Sequence, residues 1–242
     1  AGTPSGVTLA PEGGAHQSTI TASVGAELPG INYAEPAFAA EVDWLLCDAL
    51  ARLGAPDGES CYLRLSTRPI DQGLLTPVVE RLGPDRLRAQ VLAGGYRLME
   101  RPPSDRPGIT IVTTGVTVVE AVAAADALDT EGVDATVVHL SSPDRVFRAW
   151  QTARRRAIES GLAAIPATHL DTLVPPAERT RSVVSVHDAA SHSLAWLGSA
   201  LGTRQLPLGV DRFGESGTIA ELHALTGISA DHILNAALLM VG

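Results

Sequence analysis

After residue 93 the chain alternates strand-like and helix-like runs, and that alternation restricts its fold more than any other feature. Gly95–Met99 reads as an edge strand and Ile109–Thr113 as a buried one. Gly115 makes a turn, and Thr117-Val118-Val119-Glu120 reads as a capping box opening an alanine-rich helix to about Leu128, which Gly132 stops. Ala135–Leu140 is the next strand, and Ser142-Pro143-Asp144 opens a helix with a cap, a first-turn proline and an acid in order. Ser182–Val186 is a further strand, followed by a helix through Leu194, Leu197 and Leu201 and an irregular strand over Arg204–Val210. Thr218 with Glu221, and then Ser229, open two short terminal helices. Strands joined by helices of this length form a mostly parallel sheet covered on both faces, so residues 93–242 read as an α/β domain of about five strands.

The first part of the chain is different. Residues 1–30 are loop-like and rich in glycine. Ile31–Ala34 forms a short strand, and Glu35-Pro36 starts a helix carrying Phe38, Val42, Leu45, Leu46, Ala49 and Leu53 at three-to-four spacing up to Gly54. Ser60–Leu65 is a second strand, closed by the polar run Ser66-Thr67-Arg68-Pro69. A two-stranded parallel sheet is marginal alone, so residues 1–70 read as the C-terminal portion of a domain begun elsewhere, in preceding sequence or in a partner chain. Residues 71–92 lack a clear period and read as a linker holding one helix at most.

Composition excludes several functions. A net charge of −9 argues against a nucleic-acid partner. The run Arg154-Arg155-Arg156 falls where a helix's last turn is expected, complementing its dipole. Cys47 and Cys61, the only cysteines, lie in helical and strand patterns and are expected as small core residues in a reducing, cytoplasmic setting. No apolar run is expected to reach the roughly 18 residues of a membrane span.

The chemistry concentrates in Glu12-Gly13-Gly14-Ala15-His16-Gln17-Ser18, where two glycines free the backbone to approach a ligand and an imidazole follows at once. A surface turn carrying a solvated histidine fits the same residues. Of the other histidines, His139 is expected in the core, while His169, His223 and His232 are read as solvated. His187 and His192 flank Asp188 at a strand's carboxyl end, where parallel sheets present ligand groups, although a local cap by Asp188 is equally compatible. Ser193 lacks the surroundings of a nucleophile elbow. No histidine pair has zinc-ligand spacing, and neither a Walker loop nor a G-x-G-x-x-G follows a strand.

Pro11–Ile20, Tyr33–Phe38, Arg212–Gly217 and Asp231–Leu238 together resemble the homodimeric type of pyruvate dehydrogenase E1 component, within the transketolase-like thiamine diphosphate enzymes. The resemblance spans nearly the whole chain. It implies the end of a pyrimidine-binding-type domain followed by a complete transketolase C-terminal-type α/β domain. It further implies thiamine diphosphate and Mg²⁺ in the assembled enzyme, with their main ligands outside this chain. The family's Gly-Asp-Gly…Asn-Asn motif is absent, and the glutamate that activates the aminopyrimidine lies upstream, so Glu12 and Glu35 do not take its place. The chain alone is therefore expected to be inactive. By the resemblance His16 is catalytic, near the thiazolium and substrate, and Gln17 and Ser18 support its loop. The implied partners are an upstream polypeptide or N-terminal region, a homodimer or heterotetramer, and a lipoyl-bearing E2, with no nucleic acid or membrane. Two other readings remain: the same part of a transketolase acting on sugar phosphates, with Arg64 and Arg68 as phosphate-gripping candidates, or a non-catalytic α/β interaction module.

Overall fold

The computed structural model describes residues 6–102 and 104–242. After a glycine-rich loop come helix α1 (Thr21–Glu27), strand β1 (Ile31–Ala34), helix α2 (Ala39–Ala51) and strand β2 (Ser60–Leu63). β1 and β2 pair in parallel as a two-stranded sheet, with Ile31 opposite Ser60 and Ala34 opposite Leu63. α2 starts three residues after the expected Pro36 because Glu35 is held in another way. Its N–H donates to the Ser141 carbonyl at 2.8 Å, which keeps the backbone extended up to Phe38. Glu41 then caps the helix, its carboxylate accepting from the N–H groups of Ala37 and Phe38 at 2.6 and 3.0 Å.

The segment 71–92, expected as a linker, forms a 3₁₀ turn and two helices, α3 (Thr76–Leu82) and α4 (Pro84–Ala93). Leu75, Val78, Leu87 and Val91 are buried in the same core as the following sheet. Their apolar period was hidden because the segment is interrupted at Gly83, which ends one helix and starts the next.

The larger sheet comprises β3 (Tyr96–Met99), β4 (Gly108–Thr114), β5 (Asp134–Leu140), β6 (Ser182–Val186) and β7 (Gln205–Leu208), in the order β3-β5-β4-β6-β7. β3 is the antiparallel edge and the other pairings are parallel. The strand period of two sorts its side chains between two faces. Ile109, Ile111, Val137 and Val184 pack with α5 (Val118–Thr130) and α10 (Ala230–Val241). Val112, Val138 and Val183 pack with α6 (Pro143–Glu159), α7 (His169–Leu173) and α8 (Trp196–Leu201). This is the expected mostly parallel α/β sheet with helices on both faces.

Four more expectations change. Cys47 and Cys61 are exposed, not core residues. α2 packs against α4, while Leu46 and Leu50 of α2 and Leu53 just beyond its end stay exposed, and β2 is an edge of its small sheet. The proposed capping box at Thr117 does not form: the Thr117 hydroxyl donates to the Thr114 carbonyl at 2.9 Å, and Glu120 turns to Arg68 and His223. His223 and His169 are not solvated. His223 is buried against Glu120 at 3.1 Å, and His169 is half-buried with Nε2 at 2.7 Å from the Gly95 carbonyl. Finally, residues 219–241 are long and apolar enough to cross a membrane as one helix, with a mean hydropathy of 1.4. They fold as α9 (Ile219–Thr226) and α10, broken at Gly227, where φ is 79°. Ile233 and Ala237 of α10 are buried in the core that α10 shares with the sheet.

Candidate functional site

The glycine loop and the Phe-Gly tail, about two hundred residues apart, pack on each other. Gln17 is buried and clamps the tail: its amide donates to the Glu215 carbonyl at 2.8 Å, and its carbonyl accepts the Glu215 N–H at 3.1 Å. Gly13 has φ 57°, and a Cβ there would stand 2.5 Å from the Ser216 hydroxyl, so both conformation and space demand glycine. Ser18 turns its hydroxyl to the N–H groups of Ile20 and Thr21 at the start of α1. His16 ends a short 3₁₀ turn and is exposed. Beside it, an open cleft of about 520 Å³ lies between Gln17–Ile20 and Val210–Phe213, with His192 on its wall.

A second constellation lies where the small sheet meets the large one. Glu35 follows β1, Arg64 follows β2, and His187 and Asp188 follow β6, so the strands' carboxyl ends converge. The Glu35 carboxylate is buried and takes three donors: the Tyr33 hydroxyl, an Arg64 guanidinium N–H, and His187 Nε2 at 2.7 Å. Burial pushes its carboxyl up, but the Arg64 charge, the His187 ring and the hydrogen bonds from His187 and Tyr33 outweigh that and hold it at about 2. Arg64 also donates to the Asp188 carbonyl at 2.6 Å. Burial would lower its proton affinity, but Glu35 more than offsets this and the guanidinium stays charged. The Asp188 side chain is not a local cap. It accepts the N–H of Val7 at 2.7 Å, and burial, countered in part by Arg64, raises its pKa.

An ionised Glu35 only accepts, so His187 carries its hydrogen on Nε2. In the neutral ring Nδ1 is then the acceptor, and it lies 2.6 Å from the Ser193 hydroxyl. Sequence reasoning placed His187 at a strand end but missed Glu35 as its partner, and Arg64 and Tyr33 as the partners of Glu35. The available signal was a polar residue directly after each of three strands. Arg64 and Arg68 do not form a phosphate grip in this chain: Arg64 pairs with Glu35, and Arg68 with Glu120 at 2.6 Å.

Residues 94–229, more than half of the chain, match the family model of the transketolase-like TK C-terminal domain. The chain belongs to the transketolase-like family. A chromosomal transketolase from Cupriavidus necator is 29% identical over 203 residues, spanning 80% of this chain and 25% of that protein. The chain thus spans about a quarter of the length of that curated relative. A transketolase variant from Pichia stipitis, solved with xylulose 5-phosphate, superposes with a TM-score of 0.65 at 19% identity, covering 98% of this chain and 29% of that one. A split-gene transketolase, described as an inactive β4 tetramer, gives a TM-score of 0.59 at 18% identity and covers 99% of this chain and 65% of that one. These structural likenesses establish the shared transketolase-like fold. Of the two enzyme readings left by the sequence, the relatives favour transketolase over the pyruvate dehydrogenase E1 component.

The residues of this chain do not fit a thiamine diphosphate–metal site. Among the described residues no group of three or more His, Cys, Asp or Glu side chains is placed to hold a metal ion. The sequence contains no Gly-Asp-Gly followed by Asn-Asn.

Proposed function

We propose that this chain is the C-terminal part, or a split subunit, of a transketolase acting on sugar phosphates. Thiamine diphosphate and Mg²⁺ would be held by an upstream polypeptide or N-terminal region. The observation that carries this reading is the transketolase-like match over residues 94–229, in a chain that spans about a quarter of the chromosomal enzyme. The exposed Leu46 and Leu50 of α2, and Leu53 just after it, support a missing polypeptide partner, as does the edge strand β2. The split-gene transketolase is a precedent for an enzyme divided between chains. In the assembled enzyme, His16 would face the substrate, donating to or accepting from a sugar oxygen, with Gln17 and Ser18 holding its loop. The acceptor would be a second sugar phosphate, not a lipoyl-bearing partner.

The test is reconstitution with the diphosphate-domain polypeptide, assayed for ketol transfer between sugar phosphates and for pyruvate decarboxylation. Sugar-phosphate turnover that needs both polypeptides is expected, and His16→Ala should lower it by about 10²–10⁴. Turnover of pyruvate alone would return the assignment to the E1 component. A failure of the two polypeptides to associate would favour a non-catalytic module.

A further inference from the structure

We propose that Ser193 is a nucleophile activated by His187 and Glu35, and that the cavity beside it accepts esters of small apolar acids. Three groups stand in a chain: the Ser193 hydroxyl is 2.6 Å from His187 Nδ1, and His187 Nε2 is 2.7 Å from the Glu35 carboxylate. The acid is fixed, because Arg64 and the Tyr33 hydroxyl also hold Glu35 and neither it nor the ring is free to turn. The roles match those of a serine, a base and an orienting carboxylate, with the two ring nitrogens exchanged relative to the serine-protease arrangement. Glu35 comes from the small sheet, and His187 and Ser193 from the turn after β6, so no local sequence motif announces the set.

The hydroxyl has somewhere to act. Ser193 and His187 line a cavity of about 230 Å³ whose other walls include Ala22, Ala26, Phe147 and Trp196. Such walls suit a short aliphatic or aromatic acyl group. Ser23 and His192, bonded to each other at 3.2 Å, lie on the same cavity wall and are the polar groups available to a carbonyl oxygen. In the acylation step the Ser193 Oγ–H proton passes to His187 Nδ1 as Oγ bonds to the ester carbon. The carbon–alkoxy bond then breaks, and the leaving alcohol takes the proton from His187. Water reverses the same proton path, releasing the acid, so the net reaction is ester plus water to acid plus alcohol. This chemistry is independent of ketol transfer.

The experiment treats the 242-residue chain with a fluorophosphonate probe. Oγ displaces fluoride from phosphorus, and the product is read by intact mass and peptide mapping. One probe per chain on Ser193 is expected, with a burst of one equivalent of nitrophenol from p-nitrophenyl acetate. Ser193→Ala should abolish labelling, His187→Gln should slow it by about 10²–10⁴, and Ser191→Ala should leave it at the wild-type rate. Absence of labelling in the native chain would overturn the proposal. So would mapping of the label to another residue, or labelling of Ser193 at the same rate after unfolding. Because the wild-type peptide map decides the site, the proposal stays testable even if Ser193→Ala folds poorly.

Discussion

Replacing Glu35 by Gln keeps the shape at the junction of the two sheets and removes one charge. Arg64, buried beside it, then loses the Glu35 charge. The size of the effect follows from proton affinity. The Glu35 carboxyl lies at about 2 in the folded chain against 4.5 for the free side chain, and at about 1.4 kcal/mol per tenfold change this is about 3 kcal/mol of stability. The general cost of breaking a buried ion pair, about 3–5 kcal/mol, agrees with that figure. The sign is that of a depressed carboxyl: the contribution is full above 4.5 and is lost as pH falls toward about 2. Urea denaturation of wild type and Glu35→Gln between pH 7 and pH 2 should therefore give a gap of about 3 kcal/mol at neutral pH that closes on acidification. A gap under about 1 kcal/mol at pH 7, or one that does not shrink with acid, would refute the reasoning.

Gly13→Ala should destabilise the chain by about 1–3 kcal/mol, read as a lower urea midpoint, since alanine at φ 57° is strained and its Cβ meets Ser216. His139→Ala should cost about 3–5 kcal/mol in the same assay, because it leaves the buried Glu41 without its partner at 3.2 Å and opens a void beside Tyr96. Asp188→Asn should change stability by less than about 1 kcal/mol at pH 7, because the amide oxygen still accepts from Val7 and a charge disfavoured by burial is removed. Residues 93–242 expressed alone should melt cooperatively, but below the full chain's temperature, because Phe38, Leu45, Leu75 and Val78 share one core with Ile109 and Val137. A broad melt would count against a domain starting at residue 93.

Much of the large sheet could be read in advance. β4, β5 and β6 are runs of apolar and β-branched residues, and helices α6, α9 and α10 announce themselves by Ser142, Thr218 and Ser229, whose hydroxyls do accept from the first-turn N–H groups. These signals are local: a cap or a strand period is decided by neighbours within a few residues. The antiparallel edge β3 was legible for the same reason.

Two of the departures share a cause, competition from distant groups for the same polar atom. Thr117 and Glu120 have the spacing of a capping box, yet Arg68 and His223 arrive from other elements and take the carboxylate. Glu35 looked like the start of a helix until Ser141, Arg64 and His187 claimed its backbone and side chain. The exposure of Cys47 and Cys61 depends on which surface of the small sheet is covered, which periodicity does not specify. Sequence alone determined the five strands of the large sheet, the caps at Ser142, Thr218 and Ser229, and the glycine loop with its histidine. Tertiary structure decided which loops meet, setting Gln17 against Glu215 and Ser193, His187 and Glu35 in one line. Such meetings are set by the packing of whole sheets, and the residues involved lie as much as 198 positions apart.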